Sequence, residues 1–191
     1  MHEMKNKSEN EQQGPGRIVL TGFRATGKTA VGQILAQVTG FQFLDTDQVL
    51  CERMGCSIAE AVQEQGWQYF RSQERALLGE VPSWERAVIA TGGGAILHQE
   101  EWQALRQGSL VVWLRTDLAT TLARLALDHK TATQRPALKK QEDRQDPAEE
   151  IAAVLAEREP LYRAGSDLVL DTMGESPDEL AEKIFENILH I

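Results

Sequence analysis

The chain has 191 residues, of which 41% are hydrophobic and 26% are charged, and these fractions are typical of one globular domain. Its 29 acidic residues outnumber its 20 basic residues and give a formal net charge of −9, which argues against nucleic acid or an anionic membrane as the main partner. No apolar run approaches the roughly 20 residues of a transmembrane helix, and the first residues lack the apolar segment of a signal peptide. We therefore expect a cytoplasmic protein.

The N-terminal residues are polar and end in Gly14, Pro15 and Gly16, a composition typical of a flexible tail. We interpret residues 1–16 as this tail and residues 17–191 as one domain. Within that domain, short apolar runs alternate with helical patterns, which is the order expected of an α/β protein.

The apolar runs are partly β-branched and do not alternate with polar residues, as expected of parallel strands that are covered on both faces. Helix starts between them are marked by Ser57, Asp146 and Ser176, each followed three residues later by a glutamate. These patterns predict a three-layer α/β domain with a mainly parallel sheet of five strands. The predicted strands are residues 18–20, 41–44, 87–90, 110–114 and 168–170.

The two cysteines, Cys51 and Cys56, lie in a stretch that reads as helical. The four histidines are scattered along the chain, so the sequence predicts no structural zinc site. In a reducing compartment both cysteines are expected to be ordinary thiols.

A phosphate-binding motif directly follows the first predicted strand, because residues 22–29 match G-x-x-x-x-G-K-[ST]. Its glycines let successive backbone N–H groups point at phosphate oxygens, at the positive end of the following helix. Lys28 is predicted to contact the β- and γ-phosphates of a nucleoside triphosphate, and Thr29 to offer its hydroxyl to Mg²⁺. The predicted nucleotide-binding residues are Gly22, Arg24, Ala25, Thr26, Gly27, Lys28, Thr29 and Ala30.

Two carboxylates follow the second predicted strand. Asp45 and Asp47 are two residues apart, so at a strand end their side chains would point to the same side, towards the phosphates. One carboxylate can help to hold Mg²⁺, and the other can accept a proton or a hydrogen bond from a substrate hydroxyl. Alone, this pattern commonly forms a turn or a helix cap; beside a phosphate-binding loop we interpret it as functional.

Three consecutive glycines, Gly92, Gly93 and Gly94, follow the third predicted strand. Consecutive glycines cost backbone entropy and contribute no packing. We interpret them as a place where a small ligand approaches the backbone closely and accepts N–H hydrogen bonds; the alternative is a loose turn.

Arginines supply candidate anion-binding groups in this acidic chain. Arg71 and Glu74 are three residues apart on a helical pattern, where an ion pair can fix the direction of the guanidinium. Arg158 lies on a later helical pattern, and guanidinium groups bind carboxylates and phosphates in a bidentate manner. The segment of about residues 128–146 is polar, contains Arg135 and reads either as a disordered loop or as a functional lid.

Six motifs in this order resemble those of the shikimate kinase family: GFRATGKT, FLDTD, FRSQE, ATGGGAI, TQRPAL and EREPLY. The resemblance extends from about residue 17 to the C-terminus. It implies a P-loop kinase fold with helices on both faces of a parallel sheet of strand order 2-3-1-4-5, and a lid. It also implies transfer of the ATP γ-phosphate to the 3-hydroxyl of shikimate, a step towards aromatic amino acids, with Mg²⁺ as cofactor. We expect a monomer.

The resemblance also assigns catalytic roles. Asp47 is the candidate base for the reacting hydroxyl. Lys28, and Arg135 in the lid, are expected to contact ATP and to stabilise charge on the transferring phosphoryl group. The shikimate-binding residues that it implies are Asp47, Arg71, Gly92, Gly93, Gly94 and Arg158.

For the nucleotide, the resemblance implies that Thr29 and Asp45 serve Mg²⁺. Arg124, or the loop near Pro177, is expected to flank the adenine. The sequence departs from the family pattern at Ala25, where glycine is usual, so the backbone at this position must tolerate a Cβ atom.

Two other functions remain open at this point. A P-loop kinase for another small hydroxy acid, such as gluconate, would share Lys28 and Thr29 but has no reason to keep Asp47, Arg71 and Arg158 together. A non-catalytic, nucleotide-dependent regulator on the same fold would not require the acceptor-binding residues at all.

Overall fold

Five strands alternate with helices along the chain in a computed structural model that describes residues 14–127 and 146–190. The strands are β1 (Arg17–Thr21), β2 (Gln42–Asp45), β3 (Ala87–Ala90), β4 (Ser109–Arg115) and β5 (Leu168–Asp171). The helices are α1 (Lys28–Thr39), α2 (Thr46–Met54), α3 (Ile58–Glu80), α4 (Gln99–Arg106), α5 (Leu118–Leu127), α6 (Pro147–Ala164) and α7 (Pro177–Leu189). Short 3₁₀ turns lie at Val81–Ser83 and Ala95–Leu97.

The strands form one parallel sheet in the order β2-β3-β1-β4-β5. The predicted α/β class and the strand order 2-3-1-4-5 are therefore confirmed. Because the strands are parallel, their carboxyl ends share one edge of the sheet, and ligands of such folds bind beyond that edge. The segments 22–27, 46–47 and 91–94, which follow β1, β2 and β3, meet there.

Alternate residues of the central strands enter two separate cores, one on each face of the sheet. Ile18 and Leu20 of β1 pack in the core that α1 and α7 cover, whereas Val19 packs in the core that α3, α4 and α6 cover. A third, smaller cluster lies between α2 and α3, around Leu50 and Phe70. The third cluster ties the segment after β2 to the long helix α3.

The two edge strands depart from the prediction that all five strands are covered on both faces. In β5, Leu168 and Leu170 pack against the α1 and α7 core, but Val169 between them is 38% exposed. β2 is only partly buried as well. An apolar run without alternation therefore predicts burial on both faces only for the three central strands.

The predicted helix starts carry the expected caps. Ser57 and Ser176 each form a capping box with the glutamate three residues later, and Asp146 accepts a hydrogen bond from the N–H of Ala148. Cys51 lies in α2, but Cys56 follows the helix because Gly55 ends it in the left-handed conformation. Both cysteines are free thiols.

Among residues 14–127 and 146–190, no helix is long and apolar enough to cross a membrane. Residues 128–145 of the lid predicted at about 128–146, Arg135 among them, and residues 1–13 of the tail predicted at 1–16 lie outside the described residues. The bounds of the tail, the domain and the lid therefore stay predictions.

A buried arginine joins two connections at the amino edge of the sheet. Arg17 is only 8% exposed. Its guanidinium donates to the carbonyls of Pro82 at 2.7 Å, Trp84 at 3.1 Å and Gln107 at 2.5 Å. It also donates to the Ser109 hydroxyl at 3.0 Å. One side chain thus pairs carbonyl groups that belong to two different loops.

We expect Arg17→Met to lower the free energy of unfolding by about 2–4 kcal/mol, because methionine keeps an apolar stem but leaves three partly buried carbonyls without their donor. Arg53→Met is the matched control, since it removes an exposed ion pair with Glu80 and should cost about 1 kcal/mol or less. Denaturant unfolding of both variants measures the difference, and equal losses would contradict the role given to Arg17.

Ala25 adopts the left-handed conformation, with a φ of 59°. This conformation brings the Cβ of an L-residue close to the backbone and costs about 1–2 kcal/mol. The backbone at this position does accommodate a Cβ, as the departure from the family pattern requires.

We expect Ala25→Gly to raise the free energy of unfolding by about 0.5–1 kcal/mol, because relief of this strain outweighs the greater freedom of glycine in the unfolded chain. The same replacement in the middle of α5, Ala123→Gly, should instead lower it by about 1 kcal/mol. Thermal unfolding of the two variants tests whether their free energies of unfolding change in opposite directions. Destabilisation by Ala25→Gly would contradict the backbone strain assigned to Ala25.

Candidate active site

The segment between β1 and α1 curls its backbone around one point. Gly22 has a φ of 138°, and a side chain there would collide with the Leu114 carbonyl. Gly27, directly before α1, has a φ of 89°. The ammonium of Lys28 lies back over this loop and donates to the carbonyls of Gly22 at 3.0 Å and Phe23 at 2.6 Å. The lysine charge is thus held at the N-terminus of α1.

Asp45 connects this loop to α2. One of its oxygens, Oδ1, caps α2 by accepting from the N–H groups of Asp47 at 3.0 Å and Gln48 at 3.4 Å. The other, Oδ2, accepts from the Thr29 hydroxyl at 2.9 Å. A carboxylate and a hydroxyl are therefore fixed side by side at the start of two helices.

These two oxygen donors fit Mg²⁺, which prefers oxygen ligands and usually keeps several water molecules or phosphate oxygens. In the described part of the chain, no three His, Cys, Asp or Glu residues cluster closely enough to hold a metal ion by themselves. A magnesium ion at Thr29 and Asp45 would need further oxygens from its nucleotide and from water.

Asp45 and Asp47 line the same cavity, but they do not lie on one side of a strand, as the sequence pattern predicted. The strand ends at Asp45, and Asp47 lies in the first turn of α2. Asp47 packs against the glycine loop, where a Cβ atom at Gly92 would come within 2.5 Å of its Oδ1. Helix geometry, and not strand alternation, places this carboxylate.

The outer two of the three glycines, Gly92 and Gly94, leave room for side chains of the site itself. A Cβ atom at Gly94 would overlap the guanidinium of Arg71, as one at Gly92 would crowd Asp47. The N–H of Gly92 already donates to the Thr46 hydroxyl at 2.9 Å, so it does not offer the ligand hydrogen bond that the sequence analysis expected of this loop. The absence of Cβ atoms is what the glycines provide here.

Arg71 is held on three sides. Its guanidinium forms the predicted ion pair with Glu74 and lies 5.2 Å from the ring centre of Trp67 and 5.4 Å from that of Phe70. Such contacts between a cation and an aromatic face are attractive. Since all four residues follow helical spacing along α3, one face of this helix presents an oriented guanidinium.

Glu74 is almost fully buried, with 2% of its surface exposed. Its Oε2 accepts from Arg71 and lies 2.9 Å from the Nε2 atom of His98. Burial alone would raise the pKa of the Glu74 carboxyl. The hydrogen bonds from His98 and Arg71, with the charge of Arg71, outweigh burial and hold this pKa below its ordinary value of 4.5. Glu74 is therefore an anion at neutral pH.

Arg158 reaches the glycine loop from α6. It is 8% exposed, and its Nη1 donates to the Gly93 carbonyl at 3.0 Å. Its Nε finds no hydrogen-bond acceptor within residues 14–127 and 146–190. Tyr162 donates to the same carbonyl at 2.6 Å, and burial raises the pKa of this phenol to about 12, so it stays protonated.

A cavity of about 320 Å³ brings these groups together. Of the predicted phosphate-, magnesium- and shikimate-binding residues that the structure describes, all but Gly22 line it, and Gly22 acts on the shape of the loop. The predicted residues lining it are Arg24, Ala25, Thr26, Gly27, Lys28, Thr29, Ala30, Asp45, Asp47, Arg71, Gly92, Gly93, Gly94 and Arg158. The phosphate-binding loop, the carboxylates and the arginines thus face the same cavity.

The cavity is also lined by Ile58, Trp67 and Phe70, which the sequence patterns did not predict. The contact of His98 with Glu74 was not predicted either. Helical spacing could have predicted the two aromatic residues, because Trp67 and Phe70 precede Arg71 by four and by one position on the same helix. His98 carries no such signal, since it lies 24 residues from Glu74 in the sequence.

Arg124, expected near the adenine, contacts the phosphate-binding loop. It donates to the Ala25 carbonyl at 3.2 Å and to the hydroxyl and carbonyl of Thr172 at 3.0 and 2.7 Å. Arg124 thus ties the loop after β1 to the segment after β5. Contact with adenine stays a prediction.

Known proteins are similar in sequence to this chain over most of its length. A family model described as shikimate kinase matches residues 24–189. The shikimate kinase of Moorella thermoacetica is 42% identical over 172 residues, which cover 90% of this chain and 94% of that relative. The shikimate kinase of Oleidesulfovibrio alaskensis is 44% identical over 155 residues, covering 81% and 87% respectively.

A comparison of structures finds similarity to the same family. A solved structure of shikimate kinase from Acinetobacter baumannii, in complex with shikimate, superimposes with a TM-score of 0.81 at 33% sequence identity. The superposition covers 92% of this chain and 93% of that one. Sequence and fold agree on one family of ATP-dependent small-molecule kinases, so the chain belongs to the shikimate kinase family.

Proposed function

We propose that this chain transfers the γ-phosphate of ATP to the 3-hydroxyl of shikimate, giving shikimate 3-phosphate and ADP. One observation carries the proposal: a single cavity is lined by Lys28 of the phosphate-binding loop, by Asp47, and by Arg71 and Arg158. Phosphoryl transfer requires a donor phosphate and an acceptor hydroxyl held close together and in line. A cationic pocket directly beside the loop meets this requirement for an acceptor that carries a carboxylate.

At the nucleotide end, the residues of the loop bind the phosphates through backbone N–H groups at the N-terminus of α1. Lys28 contributes a mobile cation for the β- and γ-phosphates, and Arg135 contributes a second one from the predicted lid. Arginines in this role increase phosphoryl-transfer rates by about 10³–10⁵ in other enzymes. Closure over the phosphates would also exclude water, which competes with the acceptor hydroxyl.

Thr29 and Asp45 are the residues that would hold Mg²⁺. The ion supplies charge neutralisation to the phosphate oxygens when it is bound. Their mutual hydrogen bond of 2.9 Å holds the hydroxyl and the carboxylate in place. Asp45 also keeps its capping role for α2, so the start of that helix and the cation site depend on one carboxylate.

At the acceptor end, Arg71 and Arg158 pair with the carboxylate of shikimate. The Nε of Arg158 supports this assignment, because a buried donor without an acceptor is costly and a bound carboxylate would satisfy it. Glycines 92–94 form the floor on which the ring of the substrate lies. Trp67 and Phe70 provide apolar surface against the ring.

Asp47 orients the acceptor hydroxyl and takes its proton late in the reaction. The bond between the γ-phosphorus and the bridging oxygen breaks, and that oxygen leaves with ADP. A new bond forms between the same phosphorus and the 3-oxygen of shikimate, whose proton passes to Asp47. General-base groups of this kind contribute about 10²–10⁴ to the rate.

We also propose that the enzyme works as a cytoplasmic monomer on small molecules. The net charge of −9 supports small molecules as its partners, since binding of nucleic acid or of anionic membranes requires a basic surface. Sedimentation equilibrium of the purified chain tests the monomer, and a concentration-dependent increase in mass would overturn it.

The proposed reaction is tested with a coupled assay for ADP release. We expect release in the presence of ATP and Mg²⁺ to depend on shikimate, and to stop when Mg²⁺ is chelated. Release with gluconate alone would favour a kinase for another hydroxy acid. Nucleotide binding without any acceptor-dependent turnover would favour a regulator. A thermal shift with shikimate, ADP and Mg²⁺ gives an independent readout, because specific ligands raise apparent stability by mass action.

We expect Asp47→Asn to lower kcat by about 10²–10⁴, because asparagine retains the shape of the side chain but cannot accept the proton. Asp178→Asn is the matched control, since it also removes an acid from the first turn of a helix but at an exposed position. Steady-state kinetics measure both, and turnover of Asp47→Asn near that of the control would remove Asp47 from its role.

A further inference from the structure

We propose that His98 is a positioning residue for the acceptor site, acting through Glu74 to hold Arg71 in the direction that binds the shikimate carboxylate. His98 does not line the cavity and is 6% exposed. Its Nε2 atom lies 2.9 Å from the same oxygen of Glu74 that accepts from Arg71. The inference rests on the proposed function, because it assumes that Arg71 binds shikimate.

The protonation of His98 follows from its partner. A carboxylate has only acceptor atoms, and the pKa of Glu74 lies below its ordinary value, so Glu74 is ionised at neutral pH. The Nε2 atom of His98 must therefore carry a hydrogen that it donates to Glu74. Glu74 receives two donors on one oxygen, Arg71 from the cavity side and His98 from the protein interior.

The backbone around His98 is fixed, which makes its ring a firm anchor. Its N–H donates to the Ala95 carbonyl at 3.1 Å, and its carbonyl accepts from the N–H of Trp102 at 2.8 Å. His98 thus joins the turn that follows the glycine loop to the first turn of α4. Since Trp102 is fully buried in the core, the backbone that carries the ring is tied directly to that core.

Glu74 needs such an anchor because its ion pair with Arg71 is the charged and directional one of the three contacts that hold the guanidinium. A carboxylate with a single partner can rotate, and the arginine would then sample several directions. Each orientation that must be lost on binding weakens the affinity for the acceptor. The hydrogen bond from His98 removes this freedom before the substrate arrives.

The expected consequence is confined to acceptor binding. Arg71 contacts the carboxylate of shikimate and not the reacting hydroxyl, so its interaction is the same in the ground state and in the transition state. Loss of such uniform binding raises the KM and leaves kcat little changed. The KM for ATP should stay at its wild-type value, because His98 acts on the acceptor side of the cavity, through Glu74 and Arg71.

Two isosteric replacements separate the hydrogen bond from the packing. In His98→Gln the side-chain amide nitrogen can take the position of Nε2, whereas in His98→Asn it corresponds to Nδ1 and falls short of Glu74. We expect His98→Asn to weaken shikimate binding about tenfold, as loss of a hydrogen bond to a charged group predicts, and His98→Gln to keep wild-type binding within about twofold. Calorimetric titration and steady-state kinetics measure both.

Ile96→Val is the control for general loosening of this turn, because Ile96 is fully buried in the same turn but its side chain has no polar atom that could hydrogen-bond to Glu74. It should bind shikimate as the wild type does. Three results would overturn the role of His98: wild-type binding by His98→Asn, equal weakening by His98→Gln, or equal weakening by Ile96→Val. Failure of the wild-type chain itself to bind shikimate would instead refute the proposed function.

A second measurement needs no destabilising replacement. The ¹⁵N chemical shifts of the imidazole identify which ring nitrogen carries the hydrogen, with His98 assigned by its absence from the spectrum of His98→Gln. We expect a hydrogen on Nε2 at neutral pH, both without and with shikimate. A neutral ring protonated only on Nδ1 could not donate to Glu74 and would overturn the proposal.

Discussion

The missing side chains of the glycine loop are the constraint on which the rest of the site depends. Asp47 packs where a Cβ atom of Gly92 would lie, and Arg71 occupies the space beside Gly94. Arg158 and the Tyr162 phenol converge on the Gly93 carbonyl. Four side chains from three helices therefore use the same stretch of bare backbone, and a methyl group at either end of it would displace a charged group.

Charge is distributed so that the cavity differs from the rest of the molecule. The chain carries a net charge of −9, yet four cations and three carboxylates line the cavity, namely Arg24, Lys28, Arg71, Arg158, Asp45, Asp47 and Glu74. A local positive excess within an acidic chain attracts anions to the cavity. The buried carboxylate of Glu74 compensates part of this charge through its ion pair with Arg71. Without such a partner, desolvation of the guanidinium would be costly.

Local patterns predicted most of the fold and much of the cavity lining, and contacts distant in sequence account for the remainder. The capping boxes at Ser57 and Ser176 and the motif that ends in Lys28 are local, so they could be recognised without a structure. The start of α2 at Thr46 was missed, since an Asp-Thr-Asp sequence fits a strand end as well as a helix cap. His98 meets Glu74 only because α3 and α4 pack together, which no spacing in the sequence reveals.

The ammonium of Lys28 already has protein acceptors, the carbonyls of Gly22 and Phe23. A phosphate that enters the loop competes with these carbonyls for the N–H groups of the lysine. The affinity contributed by this cation is therefore a difference between two sets of hydrogen bonds and not the full strength of one.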